Sequence, residues 1–166
     1  AFLITAFEGG AVHHASFARG EAMAFDPATR DRLLAGALIP RGLYEEAQEF
    51  RSQFQTSLAP LFAEHDVLIA PAAPCIAPLI ADPHIEIDGV TTPARRDLGI
   101  HTQPISFAGL PALAVPLYRP GKLPLGLQLI AKPGGERLLF RLAARLEQQG
   151  IIGVSPVATA LHGGRG

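Results

Sequence analysis

The side chains able to do chemistry are few and scattered. The serines stand at Ser16, Ser52, Ser57, Ser106 and Ser155, and none lies in a nucleophile motif. A serine hydroxyl needs a positioned base to become a nucleophile. Nothing near Ser106, the one serine in the central stretch, offers that base. The only lysines, Lys122 and Lys132, adjoin turn residues, where exposure is expected. Cys75 lies among Pro71, Pro74 and Pro78 with no base beside it, so it reads as a small buried thiol rather than a nucleophile. His13 and His14 are adjacent, and successive helical side chains point about 100° apart. A metal pair would take i, i+4 spacing on one face. These histidines therefore read as surface or core-edge residues, with a pocket role open for one of them. Spacing supplies no glycine-rich phosphate loop, no nucleophile elbow and no interpretable carboxylate pair.

Composition narrows the class without naming a reaction. The 166 residues are 48% hydrophobic and 17% charged, enough for one globular domain with a sizeable core. Fourteen basic residues against fifteen acidic ones give a net charge of −1, which argues against a nucleic-acid surface. The single cysteine excludes an internal disulfide and a multi-cysteine zinc site. No apolar run approaches the roughly 20 residues that span a bilayer. The first six residues have no basic flank and do not read as a signal peptide, so a cytoplasmic protein is expected. The sequence opens on Ala-Phe-Leu-Ile-Thr, without Met and inside an apolar element, as a fragment or processed piece would.

The elements are organised around residues 102–116, where a proline-punctuated loop and a Gly109-Leu110-Pro111 corner precede an apolar strand at 112–115. After an Arg119-Pro120-Gly121 turn comes a second apolar run, 125–131. Continuous apolar runs bounded by Pro and Gly suit buried strands. Residues 67–70 form a third such run, placed in the sheet interior, and the prolines after it hold the chain extended. Residues 1–17 suit a helix interrupted at Gly9-Gly10. Asp26 and Pro27 mark the N-cap and first position of a helix ending near Ala37, before Pro40. Leu43, Ala47, Phe50, Phe54, Leu58 and Leu61 recur at helical steps and predict a long helix with a buried stripe, kinked or broken near Pro60. Its Glu45, Glu46, Glu49 and Arg51 read as a solvated face. Ile85 to Val90 alternates around Asp88-Gly89 as a hairpin would, and Arg95-Arg96-Asp97 reads as a solvated loop. Gly134-Gly135-Glu136 opens a last helix with Leu138, Leu139, Leu142, Ala143 and Leu146 on its buried stripe, ending at Gly150. No internal repeat or domain boundary is evident. Residues 1–150 are expected to form one segment, and residues 151–166 a loose tail.

Several of these pieces, taken together, carry a family resemblance. They are Asp66-Val67-Leu68-Ile69-Ala70-Pro71 with Pro74 and Ala77-Pro78, Thr102 with Pro104, and Phe107-Ala108-Gly109-Leu110-Pro111-Ala112. Val115-Pro116, Gly121, Leu123-Pro124-Leu125-Gly126-Leu127-Gln128-Leu129-Ile130 and the final helix complete them. Their order and spacing resemble the C-terminal part of the amidase signature family. Glu8-Gly9-Gly10, residues 25–38 and Thr102-Gln103-Pro104 are similar to one subgroup of it, the 1-carboxybiuret hydrolases of cyanuric acid breakdown.

The resemblance implies an α/β fold, with a mixed, buried β-sheet covered by helices. It implies hydrolysis of a linear amide C–N bond, through an acyl-enzyme, by a Lys–cis-Ser–Ser triad. No serine or lysine here matches that triad, so this chain alone is expected to be inactive. No metal or organic cofactor is implied. Thr102 and Gln103 match positions facing the substrate cleft, although capping the adjacent strand would also account for them. His14 and Arg19 are weaker substrate-binding candidates, Arg19 because a guanidinium fork matches a carboxylate. The resemblance further implies homodimers, with a small accessory subunit beside them. The A subunit of tRNA-dependent amidotransferases is the nearest alternative in the family. It usually carries an acidic residue three before the matching threonine, suited to a substrate amino group. Gly99 stands there, with Asp97 the residue a shifted alignment would bring in. A non-catalytic scaffold, kept to hold an assembly together, is the alternative from another class. Because a partial sheet leaves apolar strand edges open, the chain expressed alone should be poorly soluble. A soluble, cooperatively unfolding monomer in sedimentation and thermal melting would overturn that expectation.

Overall fold

The computed structural model describes residues 1–154, and the chain divides into two compact units, Ala1–Leu58 and a second beginning at Ala59. Residues 155–166, most of the expected tail, lie outside the described residues.

The first unit is helical. Helix α1 (Phe2–Ala18) runs through Gly9 and Gly10 without the expected interruption, and it packs on α2 (Pro27–Ala37). The glycines serve proximity instead. A Cβ on Gly10 would fall 2.4 Å from the Ala37 nitrogen, and one on Gly36 would fall 1.9 Å from the Ala6 carbonyl oxygen. Backbone therefore lies against backbone, with Ile4, Ala6 and Leu33 buried around the crossing. Helix α2 starts as its sequence predicts: the Asp26 carboxylate accepts from the Thr29 amide at 3.1 Å, and Pro27 follows the cap. Its end at Ala37 also agrees.

Helix α3 (Arg41–Glu64) has the predicted length, and Pro60 does not end it. Its stripe is not buried. Leu43, Phe50 and Leu61 are 46%, 60% and 44% exposed, and no residue of α3 is fully buried. Periodicity identifies the apolar face of a helix, not what covers it. Glu45, Glu46 and Glu49 are exposed, as expected, while Arg51 is half-buried. Near the start of α3 the Tyr44 ring stacks on Phe7 at 4.3 Å, and its hydroxyl donates to Glu8 at 2.9 Å.

The second unit is built on a three-stranded sheet in the order β1 (Val67–Pro71), β5 (Leu125–Ala131), β4 (Ala112–Leu117). Every strand pairing among the described residues is antiparallel, where a mixed sheet was expected. The apolar run of β1 does not occupy the interior. It is an outer strand among the described residues, with Ile69 59% exposed, because β5 takes the middle position. Strand β5 holds the buried Leu129, Ile130 and Ala131, with Leu129 facing Ile69 of β1 and Leu113 of β4. Helix α6 (Glu136–Gln148) buries Leu139 in the core cluster, while Leu142, Ala143 and Leu146 pack against it. Leu138, expected on that stripe, is 36% exposed. The chain also stays attached beyond Gly150. Ile152 is buried and bridges to Leu117, and the Tyr118 amide donates to the Ile151 carbonyl at 3.0 Å.

A hairpin of β2 (His84–Ile87) and β3 (Val90–Pro93) turns at Asp88 and Gly89, whose φ values of 50° and 77° are those of a tight type I′ turn. The residues after it form a short helix, α4 (Ala94–Asp97), where a loop was expected. Helix α5 (Gln103–Ala108) likewise replaces most of the expected proline-punctuated loop. Pro104 lies in its first turn, where a missing N–H costs nothing, and Gly109 closes it in the left-handed conformation at φ 71°.

Two glycine substitutions separate close approach from simple flexibility. Gly36→Ala should destabilise by about 1–3 kcal/mol, because the added methyl meets a backbone carbonyl that cannot yield as a side chain does. Gly42→Ala in α3 meets nothing within 4 Å and should stabilise by about 0.5–1 kcal/mol. Urea denaturation of both variants measures the opposite signs.

Candidate substrate site

The best-built polar feature of the second unit is the turn leading into α5. It converges on the Gly99 carbonyl, which accepts the Thr102 amide at 3.0 Å, the Gln103 amide at 3.0 Å and the Thr102 hydroxyl at 3.1 Å. Thr102 thus stands at the N-cap position with its hydroxyl turned back into the turn, and it makes no side-chain cap to α5. Gln103, the first residue of α5, is exposed. A Cβ at Gly99 would lie 3.5 Å from the Thr102 Oγ1 and 4.0 Å from the Gln103 Nε2, so position 99 adjoins both side chains.

The sheet holds this turn through one side chain. Gln128, in the middle of β5, is 2% exposed. Its Nε2 donates to the Pro71 carbonyl at 2.9 Å and to the His101 carbonyl at 2.8 Å. Both N–H bonds of the amide are therefore spent on backbone, one at the end of β1 and one inside the turn. In the sequence Gln128 stands only as part of an apolar run. The sign that singles it out is the lone amide among Leu125–Ala131, because a buried polar group is almost always hydrogen-bonded.

Asp97 is turned elsewhere. Its carboxylate accepts from the hydroxyl of the buried Thr92 and from Arg96 Nε, the latter at 2.9 Å. The Thr92 hydroxyl chiefly, and Arg96 beside it, hold the Asp97 carboxyl below its usual range.

The other two candidates belong to the first unit. His14 borders a shallow depression of about 370 Å³ lined with Phe7, Gly10, Ala11, Gly36 and Ala37, so its surroundings are apolar. His13 points away from it, edge-on to Phe25 at 5.1 Å, which bears out the divergence of the two rings. Arg19 already has a carboxylate partner. It holds Glu21 through two bonds of 2.6 and 2.9 Å and also donates to Ser16 at 3.2 Å. Both members of this pair are exposed, and Arg19 keeps the Glu21 carboxyl below its usual range.

Ser106, Lys122 and Lys132 are exposed, and Cys75 is half-buried rather than buried. No group of three His, Cys, Asp or Glu among the described residues could hold a metal ion. No helix among them is long and apolar enough to cross a membrane.

By fold and site, then, the chain combines a helical unit with an α/β unit that holds a polar turn against its sheet. A family model described as Amidase matches residues 8–140, and the chain belongs to the amidase family. It is 42% identical over 154 residues to AtzE, the 1-carboxybiuret hydrolase subunit of Pseudomonas sp. (strain ADP), covering 91% of this chain and 33% of that protein. It is 37% identical over 106 residues to the A subunit of the glutamyl-tRNA(Gln) amidotransferase of Staphylococcus epidermidis, covering 64% of this chain and 21% of that one. Among solved structures, it superposes with a TM-score of 0.84 and 40% identity on one of a vestigial protein complex that reveals the evolutionary origins of an s-triazine catabolic enzyme. That match covers 93% of this chain and 34% of the other. The chain thus spans about a third of the length of the first of these relatives.

The depressed pKa of Asp97 sets a direction with pH. Ionised Asp97 stabilises the hairpin–α4 junction above the ordinary aspartate value of 3.8, and this contribution is lost as pH falls through the lower folded value. The protection factors of the Thr92 and Ala94 amides, taken against their intrinsic exchange rates at each pH, should fall on acidification through that range. In Asp97→Asn the acid-dependent component should disappear.

Proposed function

We propose that this chain forms the C-terminal part of an amidohydrolase that cleaves a linear amide C–N bond, with 1-carboxybiuret or a related urea derivative as substrate. The 42% identity to a 1-carboxybiuret hydrolase subunit over 91% of the chain supports the class of substrate. The geometric observation that carries the reading is the turn before α5. Position 99 has no side chain, and Asp97 is engaged by Thr92 and Arg96. No carboxylate from either position is directed at Thr102 or Gln103. A turn without that charge suits a substrate that has no cationic amine and bears a carboxylate of its own. This favours the hydrolase over the amidotransferase A subunit.

In this reading Thr102 and Gln103 offer polar contacts to the urea-like portion of the substrate. The depression beside His14 and the Arg19–Glu21 pair are secondary candidates, and Arg19 would have to exchange Glu21 for substrate. The acyl-enzyme chemistry needs a Lys–cis-Ser–Ser triad that would come from outside these 166 residues. A serine of that triad attacks the amide carbonyl, the amine leaves with a proton relayed from the serine, and water then hydrolyses the ester. A cytoplasmic homodimer carrying a small accessory subunit completes the proposal.

Ammonia release from 1-carboxybiuret tests it, comparing the chain alone with the same chain extended through its native upstream sequence. Turnover only in the extended form supports the proposal. Turnover by the short chain would refute the assignment of the triad, and turnover by neither would refute the substrate. A second outcome is expected in the extended form. A Cβ at position 99 makes only ordinary contacts, and the carboxylate of Gly99→Asp should lower kcat/KM for the anionic substrate about tenfold or more through like-charge repulsion.

A further inference from the structure

We propose that Gln128 is the positioning residue of the substrate turn: its side-chain amide sets where residues 101–103 stand relative to the sheet. The inference rests on the proposed role of Thr102 and Gln103, and it concerns a residue that touches neither reacting atoms nor substrate. Its basis is geometric. Gln128 is the one polar side chain of β5, is 2% exposed, and gives one N–H to the Pro71 carbonyl and the other to the His101 carbonyl. Pro71 ends β1, the strand paired with β5 at that level, so the first bond fixes the amide plane against the sheet. With the plane fixed, the second N–H has one direction, and His101 must bring its carbonyl to it.

The turn itself adds little freedom to that arrangement. The Gly99 carbonyl already gathers the Thr102 and Gln103 amides and the Thr102 hydroxyl, so residues 99–103 move as one piece. Displacing His101 therefore displaces Thr102 and Gln103 together. A register of this kind matters because contacts from Thr102 and Gln103 that hold substrate and transition state alike are weakened together when the turn shifts.

The proposal separates placing the turn from filling the core. Gln128→Met keeps the length and most of the volume of the side chain and removes both donors. In the extended enzyme, this variant should raise KM for 1-carboxybiuret about tenfold while kcat changes little, as loss of a contact shared by ground and transition states does. Amide exchange of residues 101–106 should quicken in the same variant, with exchange in α6 unchanged. Wild-type KM and wild-type exchange in Gln128→Met would overturn the proposal, as would faster exchange with unaltered kinetics. Should the variant fail to fold, the unmodified enzyme decides the matter. With glutamine side chains labelled with ¹⁵N, both Gln128 Nε2 protons should exchange far more slowly than those of a free amide, and free-amide rates would overturn the assignment. Inactivity of the unmodified enzyme on 1-carboxybiuret would count against the functional reading, whereas the exchange measurements need no substrate and judge Gln128 separately.

Discussion

Strand β5 has hydrogen-bonded neighbours along both of its edges, and that double pairing fixes most of what surrounds it. A buried backbone must satisfy its N–H and C=O groups within the protein. Leu129 and Ala131 are wholly inaccessible and Ile130 nearly so, and β1 and β4 together supply their pairing. Leu129 and Ala131 join α6 and Ile152 in the principal core cluster of this unit. Alternation along a strand sends Gln128 and Ile130 to the opposite face. One face is thus devoted to packing, and the other carries the amide that reaches the turn.

A glutamine in such a strand is stabilising only while both of its donors are used. Burial of an unpaired amide costs about 1–3 kcal/mol, whereas a satisfied one contributes about 0.5–1.5 kcal/mol net. The position is consequently poor ground for stability and good ground for specificity of structure. An apolar residue would pack there without telling the loop where to go, and Gln128 packs only when Pro71 and His101 present their carbonyls. Asp97 plays a comparable part at the surface, joining Thr92 of the hairpin to α4.

The elements that can be read from the sequence are those whose local chemistry has one solution. Asp26-Pro27 admits a helix start, Asp88-Gly89 a tight hairpin, and the three apolar runs bounded by Pro and Gly admit strands. Their order in the sheet is not legible, because an apolar run does not say whether one or both of its edges are paired; β1 reads as an interior strand for that reason. Gly9-Gly10 misleads in the same way, since a missing side chain suits a break and a close crossing alike, and only Leu33, Gly36 and Ala37 across the interface decide between them. At residues 103–108, Pro104 reads as loop punctuation although it also suits a helix's first turn. The turn threonine and glutamine are legible only through family resemblance; Gln128 shows only as a lone amide in an apolar run, and its partners are not legible because they lie 57 and 27 residues away. The stripe of α3 is periodic enough to predict a helix, yet its exposure depends on neighbours that periodicity does not encode.

The crossing of α1 and α2 has a thermal consequence. Where Gly10 and Gly36 bring backbones together, cohesion comes largely from dispersion and steric fit among small groups, with Ile4 and Leu33 the large apolar side chains buried beside them. Heat-capacity change on unfolding scales mainly with apolar area exposed. A crossing of this type therefore contributes less to that change than one interleaved with leucines. Its share of stability varies less with temperature, and weakens less on cooling, than that of the leucine-rich layer between β5 and α6.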